Sequence, residues 1–314
     1  MESLKSQNRS SFLKAVPTPI AGLMLGFATA GNMLGARSGY LRGAFGAVAI
    51  AIFIILIAKA LCHFDDIKNE FSNVAIASVM PTFSMGGMVI STYIQPFSSG
   101  LATCIWYLSV LIHIIFMVLF TVKYVKGFKI ESILPSWYIV YVGIAVAAVT
   151  GKMFNPAIGK FSFYFGFAAY IVLIPFVLFR VYKINNMKRP ALPSKVIMTA
   201  PGSLCLAGYM GGIRDKNSAM VMFLLIISQL FYILVLTELP KLLRMEFYPS
   251  FSAFTFPMVI SGLSMKLYSK YLMMSGNPSS IISAVGTFEE IVSVVICLYV
   301  LYRYVVFISN KVKA

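Results

Sequence analysis

Side chains able to do covalent or metal chemistry are scarce in this 314-residue chain. It has two histidines, His63 and His113, and four cysteines, Cys62, Cys104, Cys205 and Cys297. The cysteines are far apart, with no Cys-x-x-Cys pair and no ligand spacing, so they read as small buried apolar side chains. Two histidines cannot build a histidine-rich metal site, and they leave a Ser–His–Asp triad almost nothing to work with. The expectation is a protein that is not an enzyme and that uses no metal and no cofactor.

What recurs instead is proline followed by a small residue. The pairs are Pro17-Thr18, Pro81-Thr82, Pro135-Ser136, Pro201-Gly202 and Pro249-Ser250, spaced 64, 54, 66 and 48 residues apart. Proline has no N–H and keeps a preceding carbonyl from bonding in helical register. In a bilayer a freed carbonyl is tolerated only where it meets protein or a water-filled cavity. The pairs therefore predict interrupted helices around a wet passage. Each interruption also begins a helix, whose N–H groups and positive dipole end favour an anion. No Asp or Glu lies between Pro17 and Gly35, Pro81 and Gln95, Pro135 and Val149, or Pro201 and Gly212. A cation path is expected to show acidic rings, so the pattern leans toward anions.

Three further groups have two readings each. Phe251, Phe254 and Phe256 stand just ahead of Pro257. They face lipid, as most membrane phenylalanines do, or a ring among them plugs the passage by steric block and dewetting. Glu289 and Glu290, near the start of an apolar run, are a helix-dipole pairing at the interface or functional carboxylates inside the membrane. The Gly-x-x-x-Gly pairs Gly22/Gly26, Gly31/Gly35, Gly39/Gly43 and Gly208/Gly212 serve close helix packing or thin the lumen.

The elements that must carry these residues follow from composition. The chain is 59% hydrophobic and 11% charged, against about 45–50% and about 25% in a soluble domain. Its mean hydropathy is +0.86. A bilayer span needs about 20 apolar residues. Ten candidate runs occur, over 12–35, 41–62, 74–94, 101–122, 135–154, 161–182, 196–213, 217–239, 249–268 and 280–308. The first is followed at once by the second, so it reads as a span and not as a signal peptide. The proline pairs fall in the odd runs, near one end of each. That makes five copies of a helical hairpin, all inserted the same way, related by an axis along the membrane normal. The odd helices belong inside and the apolar even helices in lipid.

The net charge of +16 is not a nucleic-acid signature here, because no solvated domain is long enough to present a basic face. With a cytoplasmic N-terminus, 18 of the 26 basic residues lie on the cytoplasmic side and 8 on the other. The positive-inside bias thus puts both termini inside, which fits an even number of spans. The expected organisation is a cytoplasmic tail over 1–11, a single ten-helix membrane domain over 12–308, and a cytoplasmic tail over 309–314.

PTPIAGLMLGF (Pro17 to Phe27), AFTFPM (Ala253 to Met258) and the five-hairpin pattern together resemble one family. It is the tellurite-resistance/dicarboxylate transporter group, which includes bacterial TehA and the slow anion channels of plant guard cells. The resemblance covers about residues 12 to 308. It implies ten transmembrane helices as five hairpins around a pseudo-fivefold central pore, lined by proline kinks, in a homotrimer. It implies a pore-occluding phenylalanine, matched best by Phe256 and next by Phe254, and it matches Gly22 to the glycine of the first inner helix. Pro257 stands where some relatives have glycine.

The expected function is a channel for small monovalent anions, chloride or nitrate, in the inner (plasma) membrane. Pro17, Thr18, Gly22, Pro81, Thr82, Pro135, Ser136, Pro201, Gly202, Pro249, Ser250 and Pro257 would line or kink its pore, with Phe256 as the gate. The alternative is a secondary transporter or exporter of dicarboxylate, sulfite or tellurite-type oxyanions, with proton coupling through Glu289, Glu290 or His113. A structural or signalling membrane protein without flux would have a solid centre.

Overall fold

The computed structural model describes residues 12–126 and 129–313. The segment 1–11, expected as an N-terminal tail, and Ala314 lie outside the described residues. The main helices are α1 (Ile20–Leu34), α2 (Gly39–Cys62), α3 (Thr82–Ile94), α4 (Ser99–Phe120), α5 (Val146–Phe154), α6 (Pro156–Leu178), α7 (Ala200–Gly212), α8 (Ser218–Leu243), α9 (Thr255–Met274) and α10 (Ser280–Lys313). No strand occurs among the described residues. The last helix runs through to Lys313, across the boundary expected near 308.

The even helices share one start signal. Ser38 accepts from the Leu41 N–H, Ser98 from Leu101, Asn155 from Ala157 and Ile158, and Asn217 from Met220. Ser279 Oγ does the same for Ile282. Each side chain satisfies a donor that the first helical turn leaves free. The odd helices have no such cap. They start behind a break: a bend at Val16 just before Pro17, a turn ending at Pro81, a turn at Pro135 followed by a short helix (Trp137–Tyr141), and 3-10 segments over Arg189–Thr199 and Pro249–Phe254.

At the first and third breaks the tight turns take up several of these donors, contrary to the expectation drawn from the prolines. The N–H groups of Ile20, Ala21 and Gly22 bond to the carbonyls of Pro17, Thr18 and Pro19 at 3.0–3.1 Å. Trp137, Tyr138 and Ile139 bond back to Leu134, Pro135 and Ser136 in the same way. The tight i to i+3 turn that carries the chain past proline takes up those donors. What the breaks keep is the direction of the peptide dipoles.

Breaks also shorten the inner helices. Six stretches are long and apolar enough to cross a membrane unaided: Gly39–Cys62, Val74–Ile94, Ser99–Val125, Pro156–Ile184, Ser218–Leu243 and Ser280–Lys313. The continuous helices α1, α5 and α7 have 15, 9 and 13 residues, short of the length a span requires. The inner and outer roles nevertheless separate clearly. Of the 15 residues in α1, 14 are buried; of the 24 in α2, only six are. Each even helix packs on the odd helix before it, while α1, α3, α5, α7 and α9 contact one another in a closed cycle.

Small residues let that cycle close. A Cβ on Gly22 would lie 3.0 Å from Ser252 Cβ, and one on Gly26 would lie 2.6 Å from Thr255 Cβ. Gly208 and Gly212 face Ala148 of α5 in the same manner. Gly39 and Gly43 meet nothing within 4 Å, so their spacing has no packing role here. Thr255 Oγ1 donates towards the Gly22 carbonyl at 2.9 Å and the Ser252 carbonyl at 2.8 Å, tying α1 to the start of α9.

Candidate functional site

The broken ends of the inner helices converge on two adjoining cavities. The smaller, about 40 Å³, draws lining residues from all five inner segments: Gly22, Thr82, Gly143, Pro201 and Phe256 among them. It can hold a few waters at most. None of its lining residues is an acid, a Lys, an Arg or a His. The larger, about 690 Å³, lies on the side of the breaks and is lined by Pro17, Ser136, Arg180, Lys188, Pro249 and Ser250, among others. Val79 and Ala253 line both, so the two cavities adjoin at two apolar side chains.

Phe256 and Phe254 have different surroundings. Phe256 sits in the first turn of α9, 6% exposed, against the narrow cavity. Phe254 is fully buried, with its ring centroid 4.8 Å from that of Phe251. Phe251 in turn lies under the Arg303 guanidinium at 5.2 Å. The aromatic cluster thus divides into one ring at the cavity and a packed group behind it.

The other expected residues divide as well. Gly22, Thr82, Pro201 and Pro257 line the narrow cavity; Pro17, Ser136, Pro249 and Ser250 line the wide one. Thr18, Pro81, Pro135 and Gly202 line neither. Thr18 is buried, with its hydroxyl unpaired among the described residues. Gly202 faces α8, where a Cβ would come within 3.2 Å of the Ser228 Cα. Pro81 stands at the start of α3, and Pro135 sits in the turn before Trp137–Tyr141.

Several hydroxyls at the cavities are already engaged. Ser136 pairs with Ser78 at 2.6 Å, Thr82 donates to the Val79 carbonyl at 2.6 Å, and Ser250 donates to the Pro190 carbonyl at 2.6 Å. Lys59, 1% exposed, reaches the Val16 carbonyl at 2.7 Å and Glu70 at 3.0 Å. That cation holds the chain at the first break and occupies one oxygen of an acid that lines the wide cavity.

Glu289 and Glu290 do not sit at a helix start. They are the tenth and eleventh residues of α10 and are 0% and 3% exposed. Glu290 pairs with Arg37 at 2.6 Å and with Lys266. It thereby joins the α1–α2 turn to α9 and α10, away from the breaks. The Glu289 carboxyl stands beside the Ser261 hydroxyl and the Gln229 amide, both able to donate to it. His113 is wholly buried, with Nδ1 2.9 Å from Ser84 Oγ and Nε2 3.2 Å from the Val140 carbonyl, bridging α4 to α3 and to the Trp137–Tyr141 helix. Cys205 and Cys297 are buried as expected, but Cys62 and Cys104 are exposed, because they stand on outward faces of even helices. No metal-holding group of His, Cys, Asp and Glu occurs among the described residues.

An all-helical molecule with long apolar outer helices, short broken inner ones and a closed, uncharged centre describes a multi-pass membrane protein built around a potential passage. The family model described as SLAC1, voltage-dependent anion channel, matches residues 18–305. The chain belongs to that family, whose members move anions and are not enzymes. A comparison with curated proteins found no match.

Proposed function

We propose that this protein is a channel for small monovalent anions, chloride or nitrate, with the passage running along the axis of the inner helices. In this reading ten transmembrane helices form five like-oriented hairpins about a pseudo-fivefold axis, and Phe256 closes the pore. The observation that carries it is the narrow cavity: five inner segments meet there, no charged side chain lines it, and Phe256 occupies its wall. An apolar closure of this kind blocks ions by exclusion and dewetting. Selectivity among small anions is weak, since no charged cage encloses the ion at the narrow point. The wide cavity opens to the cytoplasm, both termini are cytoplasmic, the membrane is the inner (plasma) membrane, and three copies assemble as independent pores.

The test is the form of the flux. Purified protein in liposomes carries chloride and nitrate down an imposed voltage and without a response to an imposed pH gradient. Flux that follows the pH gradient supports the second reading, a proton-coupled transporter of dicarboxylate, sulfite or tellurite-type oxyanions. One observation favours that alternative: Glu289 is a carboxyl buried within α10, and such groups inside membranes serve as proton relays.

A further inference from the structure

Arg180 has no role in the closure at Phe256. It stands where α6, after Pro175 removes a backbone donor, widens into a π turn over Phe179–Ile184. Such widened turns re-aim side chains and are frequent at functional sites. Here the side chain lines the 690 Å³ cavity while only 4% exposed. Its Nε donates to the backbone carbonyl of Glu131 at 3.1 Å. Its Nη1 is buried and has no acceptor among the described residues.

The charge has no direct ion-pair partner among the described residues. Two acids line the same cavity. Glu131 offers Arg180 its backbone oxygen and makes no ion pair to it through its carboxylate, and Glu70 pairs through Oε1 with Lys59 at 3.0 Å. A nearly buried guanidinium without an ion-pair partner is costly, and a bound anion removes much of that cost. The neighbouring hydroxyls do not compete for the role. Ser194 gives its proton to the Ala191 carbonyl and Ser250 to the Pro190 carbonyl, each at 2.6 Å. Lys188 adds a second positive charge to the wall.

We propose that Arg180 is an anion-binding residue of the wide cavity. It holds a small inorganic anion through a charge-assisted hydrogen bond from its guanidinium and raises the anion's concentration ahead of the Phe256 closure. The proposal names the capture step of the channel reading and rests on it for its place in permeation, but binding itself is measurable without current.

Two measurements test it. Purified wild-type protein in detergent is melted in increasing nitrate, with gluconate keeping the ionic strength constant. The unfolding temperature rises saturably, and Arg180→Gln loses that rise. Absence of a saturable rise in the wild type overturns the site whether or not any variant folds. In bilayers, on a Phe256→Ala background, Arg180→Gln raises the half-saturating nitrate concentration about tenfold when nitrate is added on the wide-cavity side, the size expected for one lost charge-assisted hydrogen bond. Arg180→Lys, which keeps the charge, recovers most of that loss; a merely structural arginine would not give this ordering. Unchanged half-saturation in Arg180→Gln, with current intact, overturns Arg180 and leaves the channel standing. Nitrate-dependent stabilisation with no anion current in Phe256→Ala overturns the channel and leaves the binding site.

Discussion

Phe254 and Phe256 are two residues apart and should fail in opposite ways. Phe254 is packed on Phe251 with no exposure. Phe254→Ala therefore leaves a core void and costs about 3–5 kcal/mol, read as a lower unfolding temperature in detergent, with no gain of current. Phe256→Ala removes a ring that borders a cavity, so it costs less stability and opens the passage. Gly26 offers a third test of the same centre. A Cβ there meets Thr255 Cβ and Oγ1 at 2.6 Å, and Thr255 holds the Gly22 carbonyl. Gly26→Ala must push α1 and α9 apart, an overpacking cost of about 1–3 kcal/mol visible in the same melt. At this scale the sequence was uneven as a guide. Phe256 was picked out through a family resemblance and an aromatic cluster. In the sequence Arg180 is only one of 26 basic residues, near the end of the 161–182 run, because its importance comes from burial beside Glu131, 49 positions away. Glu289 and Glu290 were assigned to a helix start, and α10 begins nine residues earlier.

The hairpin was legible at the level of the element, though from the less regular of two signals. The proline pairs recur at 64, 54, 66 and 48 residues. The capping residues Ser38, Ser98, Asn155, Asn217 and Ser279 recur at 60, 57, 62 and 62. The caps are the more even ruler because each does one job, closing the short turn into an even helix. The prolines do different jobs: Pro81 precedes α3, Pro201 lies inside the first turn of α7, and Pro249 begins a 3-10 segment. The same variety hid the backbone pairing of the breaks, where i to i+3 turns take the donors that proline seemed to release. Removing a cap tests the reading of the turns. Asn155→Ala and Asn217→Ala each lower stability by about 1 kcal/mol, and the two losses add in the double variant, since the caps serve different hairpins.

For the molecule as a whole, composition fixed the membrane class and the charge bias suggested an orientation, while the sequence alone did not reveal how the first and last hairpins close the ring. One ion-paired cluster joins them: Arg37–Glu290–Lys266 across α9, α10 and the α1–α2 turn. Arg37 and Glu290 are too distant in sequence to be paired by spacing. Orientation is open to a direct check. With cytoplasmic termini, Asn277→Cys in the α9–α10 turn reacts with an impermeant thiol reagent on intact cells, measured against the unsubstituted protein. Lys129→Cys reacts only after the membrane is opened. The reverse pattern would place the wide cavity on the outer side.

The proposed channel carries anions within a single chain, along an axis closed by one ring. It is tested most directly by bilayer currents from purified wild-type protein and Phe256→Ala, recorded side by side in symmetric chloride and then with potassium replaced by a large cation. A small wild-type current is expected, with an increase of at least about tenfold in Phe256→Ala through loss of the apolar block and no change when the cation is replaced. A variant that folds normally but passes no more chloride than wild type, or whose current falls with the cation exchange, would contradict it.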